Sequence, residues 1–408
     1  VSVFASRWIE RLDHVTELEP TLLPAGFRAS GVAAGLKPDG LDVGVLACED
    51  AGAVSAARFT TNARVGAPVI ASREADLTRL RAVVANSGGS NTGDGQRGLD
   101  TARATQALAA ELLGLDPSQV GVASTGVIGS ELPREPLLDG VRSAVQRLGD
   151  DADDFSRAIM TSDRAPKRAC LEVTLPSGQV RVCAQAKGAG MISPRFATMF
   201  CFMQTDAAMS PETIDLLTGV TVKRSFDRIS VDGQLSTSDT VFTIASGSSG
   251  IVIEPETEDE LRLGEAMDVV MRSLALEIVA DGEGAKRVGR IVVRGDDALT
   301  EPVARAIANS PLVKTALHGG DPNFGRILQA AGMVWPARTE FVADLEIEGR
   351  AVVSAGQVVV EDLQELAPLV QGDEVEYVLT VPGSGGETEV YFSDLSPEYV
   401  HFNSEYTT

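Results

Sequence analysis

The sequence is poor in the side chains that most often carry metal or redox chemistry. It has four cysteines, Cys48, Cys170, Cys183 and Cys201, and three histidines, His14, His318 and His401. No two cysteines stand in CxxC spacing, and the scattered histidines complete no recognisable zinc arrangement. The expectation is therefore no metal site, and four free thiols in the core of a cytosolic protein. The same scarcity of histidine leaves a Ser-His-Asp triad without constituents, and no G-x-S-x-G elbow occurs. The glycine clusters lack the strand–GxGxxG–helix context, and G-x-x-x-x-G-K-S/T is missing, so no dinucleotide or P-loop site is expected.

Long apolar runs are also missing. None approaches the roughly 20 residues needed to cross a bilayer. The opening residues intersperse Arg7, Glu10, Arg11 and Asp13, which excludes the apolar centre of a secretory signal. A cytoplasmic protein is expected. Basic residues are in the minority, 35 Lys and Arg against 58 Asp and Glu, for a net charge of −23. That balance argues against nucleic acid, which needs a cationic face, but leaves room for a local cationic patch around a small substrate. No solenoid repeat, coiled coil or low-complexity linker is visible.

What is present describes a globular chain. Its 408 residues are 44% hydrophobic and 23% charged, enough for two or more packed units. With 40 glycines and 19 prolines it has more turns than a helical protein needs, so a mixed α/β (α+β) class is expected. Residues 1–20 read as a peripheral extension. Apolar runs at 43–47, 55–60, 67–70 and 81–85 read as strands, and the last leads into NSGGSNTGDG at 86–95, a long turn near a site. Asp100 reads as the cap of a helix ending at Gly114, followed by a short strand running into STGVIG at 124–129. Residues 154–160 have helical spacing, and 169–175 with 180–186 read as a hairpin. Helices are expected from Ser210–Pro211, within 261–280, near Thr300 and after Gly325. Strands are expected at 241–245, 289–294, 341–348, 374–380 and 388–393.

The chain is organised around KGAGMISPRFATMFCFMQTD, residues 187–206. A glycine-punctuated turn and Pro194 deliver the backbone, as a loop, to Ala197 and Thr198. The apolar run Met199–Met203 then reads as a buried core element that begins with Thr198. A threonine hydroxyl is a weak nucleophile without a base. If the Ala197–Thr198 bond were opened, the new α-amine, with an unperturbed pKa of about 7.7–8.0, could take the hydroxyl proton.

This stretch resembles the self-cleavage segment of the bifunctional ornithine acetyltransferase / glutamate N-acetyltransferase family, and supporting motifs run from Gly26 to Thr408. The resemblance implies an N-terminal-nucleophile fold of layered sheets and helices in two packed units. It implies cleavage at Ala197–Thr198 into an N-terminal α segment, 1–197, and a C-terminal β segment, 198–408, in an assembly of two of each. Thr198 would be the nucleophile, with Thr125 and Gly126 of STGVIG as the oxyanion pair. Thr161, Lys187, Glu283, Asn403 and Thr408 would join Thr198 in binding substrate. The loops 228–240 and 318–327 are also family-like and are expected to support the site. The implied reaction moves acetyl from N2-acetyl-L-ornithine to L-glutamate by a ping-pong route without cofactor, with acetyl-CoA as an alternative donor in some relatives.

Departures from the family pattern are Arg195–Phe196 before the scissile bond, NTGDG at 91–95, Lys286 and Phe324. They touch none of the proposed nucleophile, oxyanion pair or lysine, and leave open a paralogue with altered acceptor use in specialised metabolism. Two other readings stay open: an N-terminal-nucleophile amidase or aminopeptidase, and an uncleaved protein that binds amino acids.

Overall fold

A computed structural model describes residues 2–193, 199–337, 339–360 and 362–405. Three sheets carry the architecture. A six-stranded sheet has the order Val15–Glu17, Lys167–Leu175, Gly178–Lys187, Phe200–Thr205, Thr240–Ala245, Val54–Phe59. A four-stranded sheet has the order Phe27–Val32, Val43–Cys48, Ala82–Asn86, Val120–Ser124. The first sheet interleaves strands from both sides of position 198, so the two halves of the sequence share one core.

Alternation along Phe200–Thr205 shows how the layers stack. Successive strand side chains point to opposite faces. Phe200 and Phe202 pack with Leu46, Val83 and Ala123 of the four-stranded sheet, and with Phe242 of the neighbouring strand. Cys201 and Met203 pack on the other side, with Met267, Val270 and Leu274 of the helix Glu258–Ala280. On the far face of the smaller sheet lie the helices Gly95–Leu113 and Arg134–Gln146, through Ala102, Ala109, Leu137 and Val141. The result is helix, sheet, sheet, helix, with the strand Phe200–Thr205 buried at every position. A second unit follows, a seven-stranded sheet ordered from Ile229–Ser230 through Val288–Asp296 to Gln357–Val358. The helices Asp297–Ala308, Pro311–Gly319 and Phe324–Gly332 share its core. The expected mixed, layered fold in two packed units is what the structure has.

Several local expectations are corrected. Residues 67–70 belong to the helix Ala67–Arg73: Gly66 supplies an extended N-cap and Pro68 suits the first turn. Asp100 does not cap its helix, which begins five residues earlier at Gly95 after Asp94. Residues 1–20 are not merely peripheral, since Val3 and Ile9 enter the main core and Val15–Glu17 pairs antiparallel with Lys167–Leu175. Only Cys48 and Cys201 are free thiols among the described residues; Cys170 and Cys183 are opposed across the hairpin and joined as a disulfide. None of the described helices is long and apolar enough to cross a membrane.

Candidate active site

The site lies where parallel strands release their loops. Ala82–Asn86 and Val120–Ser124 run parallel and in register, so Asn86 and Ser124 end side by side. Such carboxyl ends are where open α/β sheets commonly bind ligands. The two loops are then tied together. Ser124 Oγ donates to Asn86 Oδ1 at 2.6 Å, Thr125 N to Asn86 O at 3.0 Å, and Ser90 N to Val127 O at 3.1 Å. Gly126 has φ +128°, and a Cβ there would stand 2.7 Å from the Gly88 and Gly89 backbone. Only glycine combines that torsion with that approach. The turn at 124–129 therefore presents Thr125 and Gly126 to a cavity of about 500 Å³.

Lys187 reaches the same cavity from the six-stranded sheet. It ends the strand Gly178–Lys187 and pairs with Phe200, so it stands beside the start of the core strand Phe200–Thr205. Its Nζ is buried and donates to Thr161 Oγ1 at 2.7 Å and to Thr125 Oγ1 at 3.3 Å. Burial lowers its pKa, opposed mainly by Asp163, whose Oδ2 lies 3.9 Å away. Asp163 is itself fully enclosed. It accepts from Lys167 Nζ at 2.7 Å, from the Gly188 amide at 2.7 Å and from the Thr161 amide at 3.0 Å. Burial raises its pKa, but Lys167, Lys187 and these hydrogen bonds outweigh it and hold the carboxyl far below its ordinary range. Lys167 also binds Asp281 at 2.6 Å, which fixes the end of the helix Glu258–Ala280.

That helix end delivers Glu283. Its carboxylate accepts from Ser162 Oγ at 2.7 Å and from Asn403 Nδ2 at 2.8 Å. A Cβ on Gly190 would lie 2.6 Å from the same carboxyl, so this glycine makes room for it. Asn403 comes from the helix Pro397–Glu405 and also donates to Tyr399 O at 3.0 Å. Asp232 pins Met191 and Ile192, accepting from their amides at 2.6 and 2.9 Å. Met191 there takes φ +55°, a conformation costly for a side chain with a Cβ.

Thr125, Gly126, Thr161, Lys187, Glu283 and Asn403 thus line one cavity. Ala197, Thr198 and Thr408 lie outside the described residues. The loop 228–240 does support the site, through Asp232 and the lining residues Ser236, Thr237 and Ser238. The loop 318–327 does not line it. Gly320, at φ +62°, caps the helix Pro311–Gly319, and the Asp321 amide closes back on Ala316 O. Sequence reasoning gave no role to Ser162, Asp163 or Lys167, although Ser162 and Asp163 directly follow Thr161. Among the described residues no group of His, Cys, Asp and Glu could hold a metal ion.

Replacing Asp163 by Asn should leave Lys167 and Lys187 buried without their shared anion, at a cost of about 3–5 kcal/mol. A carboxyl with a depressed folded pKa stabilises above its unfolded value and loses that contribution as pH falls toward the folded one. The stability gap between Asp163→Asn and the parent in urea titrations should therefore be full at pH 7 and shrink below about pH 4.

Thr125 and Gly126 thus share one cavity with a buried lysine and a carboxylate. The ArgJ family model matches residues 28–408. The arginine biosynthesis bifunctional protein ArgJ of Rhodopirellula baltica is 40% identical, over 97% of this chain and 100% of its own. The glutamate N-acetyltransferase of Methanocaldococcus jannaschii is 38% identical, over 94% of this chain and 98% of its own. The ornithine acetyltransferase of Mycobacterium tuberculosis, solved with ornithine, is 35% identical over 44% of this chain and 98% of that one, with a TM-score of 0.41. The chain belongs to the ArgJ family and is an acetyltransferase of the arginine-biosynthetic type.

Proposed function

We propose that the protein cuts itself at Ala197–Thr198 and then carries acetyl groups from N2-acetyl-L-ornithine to L-glutamate on Thr198. The observation that supports this best is the convergence of Thr125, Gly126, Thr161, Lys187, Glu283 and Asn403 on one cavity beside the start of Phe200–Thr205. In the first half-reaction the Thr198 hydroxyl adds to the acetyl carbonyl and its proton passes to the Thr198 α-amine. The oxyanion accepts from the Thr125 hydroxyl and the Gly126 amide. Lys187 sharpens this pair. Because the Thr125 oxygen accepts from the Lys187 ammonium, its own proton is free to donate, and the cation polarises that O–H. The carbon–nitrogen bond then breaks, ornithine nitrogen takes the proton from the α-ammonium, and an acetyl-threonine ester remains. The glutamate amine attacks that ester in reverse order and leaves as N-acetylglutamate.

Glu283 suits a substrate ammonium, with its carboxylate fixed on both sides by Ser162 and Asn403. Asn403 and Thr408 would contact the substrate from the C-terminal segment, and Thr161 steadies Lys187. The cut segments 1–197 and 198–408 would stay together through the shared six-stranded sheet and assemble as two of each. The test is incubation with N-acetylornithine, with and without glutamate. Without glutamate, ornithine release should stop after about one equivalent per site; with it, turnover should continue and match N-acetylglutamate formed. Sustained ornithine release without glutamate would identify a hydrolase instead.

A further inference from the structure

Lys37 is a cation of the cavity wall that the acetyl chemistry leaves unused. Its loop is fixed from within: the buried Asp42 carboxylate accepts from the amides of Ala34, Leu36 and Lys37 at 2.6, 2.7 and 3.1 Å. The side chain then runs over Gly88, where a Cβ would lie 2.5 Å from Leu36 O and 3.0 Å from Lys37 Cγ. Gly88 is also the backbone that Gly126 abuts, so Gly88 lies between Lys37 and the 124–129 turn. At its far end Nζ donates to Met160 O at 2.9 Å. An ammonium has three donors, and among the described residues this is the one hydrogen bond that Nζ makes.

The charged side chains that line the cavity, among the described residues, are Lys37, Lys187, Asp232 and Glu283. Two of them are already engaged. Lys187 is held by Thr161, Thr125 and the nearby Asp163, and Asp232 by the amides of Met191, Ile192 and Gln234. Lys37 and Glu283 remain to meet a ligand, and one short segment carries both. Met160 O receives Lys37, and Ser162 Oγ donates to Glu283. Burial lowers the Lys37 pKa, while Asp42 and Asp163 favour its ammonium.

The proposed reaction brings two amino acids to this cavity in turn, and their far ends differ in charge. Ornithine carries a side-chain ammonium, for which Glu283 is suited. Glutamate carries a second carboxylate, which Glu283 would repel. Resting on that transfer reading, we propose that Lys37 binds the side-chain carboxylate of the glutamate acceptor. The two charged ends are then read by different groups on the 160–162 segment, the ammonium by Glu283 and the carboxylate by Lys37. No bond forms or breaks at Lys37. It is a specificity-determining residue for the acceptor half-reaction alone.

Lys37→Met keeps the stem over Gly88 and removes the charge. Lys37→Gln also keeps an N–H donor for Met160 O, and is the second variant. Acetyl transfer to glutamate and acetyl exchange into labelled ornithine are measured on the parent and both variants, with N-acetylornithine as donor. kcat/KM for glutamate should fall roughly 10- to 100-fold in each variant, the scale of a carboxylate losing a charged hydrogen-bond partner. Exchange into ornithine uses the same cavity and the same acetyl group, and should stay within about twofold of the parent, which also shows that the variant is folded. A parental kcat/KM for glutamate in either variant overturns the proposal. So does an equal loss with both acceptors, which would mean that Lys37 holds its loop or binds the carboxylate the two share. If the parent itself moves no acetyl to glutamate, the transfer reading fails and this inference falls with it; a parent that transfers, with variants that match it, removes Lys37 alone.

Discussion

Thr198→Ala should yield one uncut chain of 42.8 kDa with no measurable acetyl transfer. The substitution removes the atom that opens the Ala197–Thr198 bond and the atom that would carry the acetyl group. The cavity residues described here do not depend on that hydroxyl for their mutual contacts, so folding should survive. Rates should drop by roughly 10⁴ or more, the scale seen when a hydrolase loses its nucleophile. Thr198→Ser should retain part of both steps, because the oxygen remains while the methyl that orients it is lost. An uncut Thr198→Ala protein that still turned over N-acetylornithine at the parental rate would move the chemistry to another side chain.

Thr125→Val should have the next largest effect. Valine keeps the shape but removes the hydroxyl that receives Lys187 at 3.3 Å and faces the cavity beside Gly126. Loss of one preorganised oxyanion donor costs about 2.7–4 kcal/mol, or roughly 10²–10³ in kcat. KM should change little, because the donor acts on charge that develops only in the transition state. Steady-state kinetics on the cut variant separates the two. A rise in KM at unchanged kcat would mean that Thr125 binds ground-state substrate and does not stabilise an oxyanion. Gly126→Ala should disturb the same turn, since its Cβ would meet the Gly88 and Gly89 backbone.

Elements with strong local patterns were legible in the sequence. The hairpin at 169–186, the buried run after Thr198 and the periodic helix ending near 280 all occur, as Lys167–Leu175 with Gly178–Lys187, Phe200–Thr205 and Glu258–Ala280. Errors arose where tertiary packing decided. Residues 67–70 are apolar enough for a strand, yet Gly66 and Pro68 start a helix whose Ala67, Val69 and Ala71 fill the core. The cysteines show a missed consequence of a correct reading. A hairpin turning at Pro176–Ser177 pairs Leu175 with Gly178, and the same register sets Cys170 opposite Cys183.

At the site the residues themselves supplied less. Thr125, Lys187 and Glu283 stand far apart in sequence, and only the family resemblance grouped them before the fold brought them to one cavity. The acids behind them were not assigned roles. Asp163 holds the lysine pair, Asp232 pins Met191 and Ile192, and Asp239 holds Met199. Each is a short acidic side chain next to a serine, threonine or glycine, a composition indistinguishable from an ordinary surface turn. Their burial, which gives them their effect, follows from strands that meet only in the folded chain.

The decisive measurement is the mass of the purified protein under denaturing conditions, before and after brief exposure to N-acetylornithine. Two pieces corresponding to 1–197 and 198–408 are expected, with about 42 Da added to the second piece alone after exposure. A single unbroken chain that nevertheless transfers acetyl, or an added acetyl group on any other side chain, would contradict the role given to Thr198.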